Sequence, residues 1–333
     1  MKISVIIPVR NEQKSIRELL DSLLAQSRKP DEIVITDGGS TDSTADIIRS
    51  YIKNGTLIRL ICVKEALPGR ARNIAIANAR YDLIVMADAG TKLTANWLEE
   101  LARPFASDKN IEVVYGVHGV NAQTLFEQCF SIVYLARGRK WNEKFVRFPW
   151  LGSLALKKYV WEKAGGFRED LRATEDLLFF RAIKELKFES TVAPEAVAFW
   201  RPRGSLSEAF VLAFKYAVCD AYSMFLLPEY TVTYSLKYLR KYLMYALGLV
   251  LTIASFWHPV LLAVVIAGFF INSLLTCKKN WDTFITLLSL KPYAYLLIAA
   301  IVFTLDVAGM SGFFVGLIIK CFRGKGIKTN ENK

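Results

Sequence analysis

Two histidines in 333 residues leave little room for imidazole chemistry. His118 and His258 lie far apart, and His258 sits in a short turn between apolar runs, so a Ser-His-Asp relay is not expected. Acid–base work falls to carboxylates instead. The five cysteines, Cys62, Cys129, Cys219, Cys277 and Cys321, form no C-x-x-C pair and no His/Cys cluster with zinc spacing. They read as free thiols in a reducing compartment. Ile3 to Val9 is too short for the apolar region of a secretory leader, and Pro8-Val9-Arg10-Asn11 ends it as a strand would end. No signal peptide is expected, and the N-terminal part is expected to stay in the cytosol. Acidic residues are the minority, 31 against 43 Lys and Arg, for a net charge of +12. The basic residues are scattered, and many flank apolar segments: Lys237, Arg240, Lys241, Lys278, Lys279, Lys320, Arg323 and Lys325. That pattern suits anionic lipid headgroups and membrane lipids as partners; no nucleic acid is expected.

What the chain has in excess is apolar residues, 53% of the total, with a mean hydropathy of +0.27. The excess sits at the C-terminal end. Residues 1–230 read as one large soluble α/β domain, and 238–320 as a helical membrane region. Residues 239–257 and 260–276 each approach the lower length for a span, and His258-Pro259 joins them as a hairpin. Residues 292–319 form a third run, interrupted by Asp306. A full third span would place the basic tail, 321–333, outside, against the positive-inside tendency. Two short re-entrant halves broken near Asp306 to Gly312 would avoid that; the simple span is preferred. Asp306 is either a functional carboxylate or the partner of a Tyr or Lys within the bundle. The stretch 204–227, with its stripe of Leu206, Phe210, Ala213, Phe214 and Ala217, reads as an interfacial helix or an ordinary packed one.

The N-terminal part alternates β-branched runs (2–9, 32–36, 57–63, 83–87, 112–117) with helical spacing (15–26, 43–53, 70–79, 95–105). Such βαβ order predicts a mostly parallel sheet flanked by helices. Beyond it, 126–199 is irregular, with helices expected near 160–164 and 175–186 and a strand at 192–199. In parallel sheets ligands bind beyond the carboxyl ends of the strands, which is where Asn11, Asp37 and Asp88 fall.

Three constellations carry carboxylates. Asp37 precedes Gly38-Gly39-Ser40-Thr41-Asp42 between a strand and a helix. The glycines allow tight backbone geometry and Ser40, Thr41 or Asp42 can cap the helix. Asp37 is then free to accept hydrogen bonds from a base or ribose, or the segment is a capped turn and nothing more. Asp88, in Met86-Ala87-Asp88-Ala89-Gly90, stands at a strand end among small residues. It suits a divalent ion bridging two phosphates. Glu175-Asp176 opens a helix, as a general base or as ordinary helix-terminal charge.

Taken together and in order, these segments resemble the family 2 glycosyltransferases of the GT-A fold over roughly residues 1 to 225. The matching stretches are SVIIPVRNE (4–12), PDEIVITDGGSTDST (30–44), PGRARNIAI (68–76), MADAG (86–90), WEKAGGF (161–167) and TEDLLF (174–179). The resemblance implies a nucleotide-diphospho-sugar transferase fold followed by a membrane-helical region. It implies that Pro8, Asn11 and Glu12 line the nucleotide cleft and that Asp37 contacts base or ribose. Arg72, or its rival Arg70, would approach the nucleotide. Asp88 would hold Mn²⁺ or Mg²⁺ on the diphosphate. Glu175 would line the donor site beside Asp176, the base that deprotonates the acceptor hydroxyl. A UDP-sugar is the donor most typical of the family.

Two departures stand out. Position 90 is Gly, so the second carboxylate of the family's D-x-D is missing. The basic motifs that many membrane-attached relatives carry before the membrane are reduced to Lys215, in Phe214-Lys215-Tyr216-Ala217-Val218, with Arg201 and Arg203 as substitutes. The absence of Q-x-x-R-W and the small number of spans argue against a processive synthase. The expectation is an inverting, multi-pass membrane enzyme with a cytoplasmic catalytic domain. It would glycosylate a lipid-linked saccharide or glycolipid in cell-envelope or exopolysaccharide synthesis. A polyprenyl-phosphate glycosyltransferase is the alternative acceptor reading, and a non-catalytic scaffold of glycan assembly the alternative class.

Overall fold

Alternation along the first strand builds two cores at once. The computed structural model describes residues 1–52, 57–134, 139–141, 144–146 and 150–323, with side chains described outside 135–149, 279 and 322–323. In β1 (Ile3–Val9), Ile3, Val5, Ile7 and Val9 face one apolar layer and Ile6 faces the other. A strand buried on both faces must be apolar throughout, which is why its sequence reads as a run rather than as an alternation. α1 (Ile16–Leu24) and, further along, α4 (Trp97–Ser107) close the first layer. α3 (Pro68–Ala77), α6 (Lys158–Lys163) and α7 (Glu175–Glu185) close the second.

β2 (Glu32–Asp37), α2 (Thr44–Ile52), β3 (Ile58–Cys62) and β4 (Leu83–Ala87) complete the βαβ half. Then follow β5 (Thr91–Leu93), β6 (Val113–Val120), the pair β7 (Arg139–Trp141) and β8 (Lys144–Val146), β9 (Ser153–Lys157) and β10 (Ser190–Trp200). The main sheet has the order β3-β2-β1-β4-β9-β6-β10-β5. The β3-β2-β1-β4 half is parallel, as expected. The other half is mixed, because β9 runs antiparallel to both β4 and β6, and β5 antiparallel to β10. Six of the eight strands run the same way, so the expected mostly parallel sheet flanked by helices holds, with β5 and β9 as its antiparallel members. β5 and β9 fell in stretches with no periodic signal: β5 is three residues long, and β9 is buried on both faces.

The chain leaves β1 toward β2 on one side and returns as β4 on the other. The β1–β4 boundary is thus the topological switch point, where open α/β sheets bind ligands. The β1–β4 ladder ends at Ile6↔Met86, while β1–β2 continues to Val9↔Asp37. Pro8, which has no N–H to donate, lies just past the point where the two strands part.

The chain divides into two compact units: Met1–Asn121 with Gly138–Arg201, and Ala122–Arg137 with Pro202–Lys333. This division differs from the expected boundary near 230. In the second unit are α5 (Leu125–Tyr134), α8 (Leu206–Leu226), α9 (Thr231–Ala254), α10 (Val260–Cys277), α11 (Trp281–Leu290) and α12 (Ala294–Arg323). Among the described residues three helices are long and apolar enough to cross a membrane: 206–226, 260–277 and 294–321. α8, read from sequence as an interfacial or an ordinary packed helix, is one of them. The run expected at 239–257 lies in α9, whose first half carries Lys237, Arg240 and Lys241, and is not among the three. α12 is one continuous helix through Asp306 and Gly312, so the simple helix stands and the broken one does not. Residues 324–333 of the basic tail lie outside the described residues.

α8 begins with a variant of the capping box in which the glutamate reaches one residue further back. Ser205 accepts from the Glu208 backbone N–H at 3.2 Å, and Glu208 accepts from the Gly204 N–H at 3.0 Å. α8 and α12 approach closely through small residues. A Cβ at Gly316 would meet Ala221 Cβ at 2.7 Å and Val218 O at 2.8 Å, and one at Gly312 would collide with the Phe214 backbone. Gly312-x-x-x-Gly316 faces Ala217-x-x-x-Ala221, the small-residue pattern that lets apolar helices pack backbone to backbone. Asp306 pairs with Lys241 and accepts from Tyr245 Oη at 3.2 Å and Asn272 Nδ2 at 3.1 Å. The Lys and Tyr partners are those the sequence offered as its structural role.

Candidate active site

The site grows from the carboxyl ends of β1, β2 and β4. Asn11 follows β1 with φ +57°, a left-handed conformation that Asn tolerates better than most residues. Its Oδ1 accepts from the Thr41 N–H at 2.8 Å, and its own N–H donates to Ser40 Oγ at 2.9 Å. Glu12 N–H donates to Thr44 Oγ1 at 2.8 Å. The Arg10-Asn11-Glu12 loop is thereby stitched to the loop after β2. Within that second loop, Asp37 Oδ1 accepts from both the N–H (2.9 Å) and Oγ (2.7 Å) of Ser40. Oδ2 has no partner among the described residues. Asp42 accepts from the Thr44 N–H at 3.0 Å and so caps α2. Burial opposes its charge, but the bonds from Thr44 and Gln13 hold its carboxyl below the usual value.

Both glycines of the Asp-Gly-Gly turn are required. Gly39 has φ +88°, and a Cβ at Gly38 would sit 2.8 Å from Ala66 O. The segment before α3 runs directly against this turn, which brings the two Arg candidates near it in sequence. They differ in kind. Arg70 is exposed, its one hydrogen bond a long 3.4 Å contact to Glu65 O. Arg72 is buried, donating from Nη2 to Asp88 Oδ1 at 3.0 Å and from Nη1 to Glu175 Oε1 at 2.8 Å. Its Nε has no partner among the described residues. Burial works against the guanidinium charge, yet Asp88, Glu175 and Asp176 keep it above its ordinary value.

Arg72 therefore joins the second and third constellations, which the sequence lists as separate motifs. Asp88 keeps 26% of its side chain exposed, and its Oδ2 takes no partner among the described residues. Glu175 is buried, and burial raises its carboxyl above the ordinary value, with Arg72 opposing and Asp176 adding to the rise. Glu175 thus faces inward as the anchor of Arg72 rather than outward to a donor. Asp176 is half-buried, with Oδ1 on its own helix's Leu177 N–H at 2.8 Å. The pair is presented by Thr174 at φ +80°, an unusual conformation for a β-branched residue.

Asn73 was not singled out by the sequence reading. Its Oδ1 accepts from Trp161 Nε1 and the Phe167 N–H, both at 2.9 Å, and its Nδ2 donates to Phe167 O at 2.8 Å. It locks α3 to the Gly165-Gly166-Phe167 loop that leads to Glu175. Its place beside Arg72 in PGRARN was the signal available.

No cluster of three or more potential metal-ligating side chains exists among the described residues. Gly90 has φ +83°, and a Cβ there would lie 4.0 Å from Glu12 Oε2. Glu12, not a second Asp, is the carboxylate next to that position. Three carboxyl groups surround the single Arg72 guanidinium, so acidic groups outnumber the cation there. That surplus, with the open oxygen of Asp88, fits a hard divalent cation shared with a substrate diphosphate, which takes one or two protein carboxylates.

The fold is GT-A-like, a sheet flanked by helices with its site at the switch point. Residues 4–152 match the family model of glycosyl transferase family 2. The chain is 29% identical over 186 residues to poly(ribitol-phosphate) beta-N-acetylglucosaminyltransferase TarS of Staphylococcus aureus, covering 54% of this chain and 32% of that one. It is 34% identical over 140 residues to poly(ribitol-phosphate) beta-glucosyltransferase of Bacillus spizizenii, covering 39% of this chain and 21% of that one. The chain thus spans about a third or less of these curated relatives. The mannosyltransferase PcManGT from Pyrobaculum calidifontis, solved with GDP-Man and Mn²⁺, superposes with a TM-score of 0.52 at 18% identity, over 97% of this chain and 88% of that one. At that identity the likeness is one of fold.

Proposed function

We propose that the chain is an inverting glycosyltransferase that moves a sugar from a nucleotide diphosphate sugar to a membrane-associated acceptor at the cytoplasmic face. The observation that carries the reading is the Arg72 bridge between Asp88, just past β4, and Glu175 of the Glu175-Asp176 pair, on the sheet whose β2 ends in Asp37. Asp37, through Oδ2, would receive the base or ribose. Asp88 would hold a divalent cation, which supplies positive charge to the leaving diphosphate. Arg70 is the exposed guanidinium available to the phosphates, and Arg72 fixes the orientation of Asp88. Asp176 would take the proton of the acceptor hydroxyl as its oxygen bonds to the anomeric carbon. The bond to the diphosphate oxygen breaks and the nucleotide diphosphate leaves with the electron pair.

The relatives named as poly(ribitol-phosphate) glycosyltransferases support a cell-wall polymer setting. A lipid-linked saccharide or glycolipid as acceptor is supported by the long apolar helices. Nucleotide diphosphate release by detergent-purified protein tests the reading. The assay uses UDP-, GDP- and dTDP-sugars with Mn²⁺, Mg²⁺ or EDTA, and membrane lipid extract as acceptor. Acceptor-dependent release from one donor, reduced about 100-fold or more in Asp176→Asn, is expected. Equal release by Asp176→Asn would remove that residue as the base. Absence of both release and donor binding in folded protein would favour the scaffold.

A further inference from the structure

α9 carries three cations on one face, Lys237, Arg240 and Lys241, and no acidic residue along its length. Spacing of three and four residues puts them side by side. Two are answered by carboxylates from other helices. Lys237 pairs with Asp220 of α8, and Tyr238 Oη donates to the same carboxylate at 2.7 Å. Lys241 pairs with Asp306 of α12, which is further satisfied by Tyr245 and Asn272. Arg240 is exposed and has no carboxylate partner among the described residues. All three cations line a cavity of about 380 Å³ between α9, α10 and α12, with Asn272, Thr276 and Asp306 on the facing walls. The negative charge in the cavity is already consumed by Lys241, so the surplus there is positive.

We propose that this cavity binds the phosphate headgroup of a membrane lipid, with Arg240 as the principal contact. A guanidinium matches phosphate oxygens in fork geometry, and basic pockets between membrane helices are established sites for anionic headgroups. Its place in the bundle suits a lipid. The cavity opens at the end of the α9–α10 hairpin where α9 is basic and α10 gives way to Lys278, while the other end carries the exposed apolar Phe256 and Trp257. Acyl or isoprenyl chains from a headgroup held there would lie along the exposed leucines of α9, Leu243 and Leu247. The site is independent of the sugar-transfer reading and would stand if that reading failed.

The test is binding of defined lipids to the full-length protein in detergent by native mass spectrometry. The probes are undecaprenyl phosphate, phosphatidylglycerol and phosphate-free diacylglycerol, with inorganic phosphate as competitor. Arg240→Gln is compared with Lys184→Gln, an equal charge loss on the exposed face of α7. Expected is binding of at least one phosphate lipid, weakened about fivefold or more in Arg240→Gln and unchanged in Lys184→Gln. Which lipid binds tighter distinguishes a phosphate monoester from a diester. Arg240→Gln binding like wild type, diacylglycerol binding as tightly as the phosphate lipids, or complete displacement by inorganic phosphate at equimolar concentration would each overturn the proposal. Arg240 is exposed, so the variant is expected to keep the wild-type melting midpoint, and that measurement accompanies the binding.

Discussion

Arg72 carries one positive charge among three carboxylates, and its neighbours report that imbalance. Removing it leaves Glu175 buried without its ion-pair partner, a change of about 3 kcal/mol or more. Arg72→Met is therefore expected to lower the melting midpoint markedly, whereas Arg70→Met, at an exposed position, keeps the midpoint and weakens donor binding. If both variants melt like wild type, the buried bridge is not holding α3 to α7. Glu175 adds a pH signature. Its carboxyl is raised from 4.5 by burial, against Arg72, with Asp176 adding to the rise. A carboxyl raised in the fold favours it fully below 4.5 and loses that contribution as pH climbs through the raised value. The midpoint of wild type minus that of Glu175→Gln should shrink as pH rises above 4.5; a difference that grows would reverse the sign. Asp37 and Asp88 could be placed from sequence because a strand end followed by glycine or small residues locates them. The Arg72–Glu175 bond could not, since it joins residues 103 apart that only the finished sheet brings together.

At the scale of elements, the parallel half of the sheet was readable because β1, β2 and β3 are each followed by a helix of about the right length. The span 126–199 was not. β9 shows no alternation because both of its faces are buried, and α5 is short. The α8–α12 contact was written in Gly312-x-x-x-Gly316, a spacing the sequence reading did not use. Its consequence is measurable. Gly316→Leu forces side-chain volume into Ala221 and Val218 and should destabilise the protein by about 1–3 kcal/mol. Gly248→Leu, where a Cβ meets nothing within 4 Å, should leave the melting midpoint close to wild type. Equal effects at the two positions would mean that α8 and α12 do not pack through their small residues in solution.

At the scale of the whole molecule, the composition shift near residue 230 marks neither the onset of apolar helices, since α8 already spans 206–226, nor the division into units. α5 separates from the sheet that surrounds it in sequence. Cys129, Phe130 and Val133 are buried there, and Asn280 donates to Ile132 O at 2.7 Å from beyond α10. A fragment ending at Arg201 would keep α5 and lose its partners. It is expected to aggregate without detergent, while the full chain stays in the membrane pellet after alkaline carbonate washing. A monodisperse, detergent-free 1–201 fragment would count against this arrangement. The same placement sets a schedule for synthesis. α5 ends at Tyr134 and α12 begins at Ala294, so at about 5–20 residues per second the ribosome takes roughly ten to thirty seconds to supply the helix against which α5 rests. For that interval an apolar helix waits without its neighbour, and whatever shelters it must hold on past the completion of the sheet, until α12 has emerged.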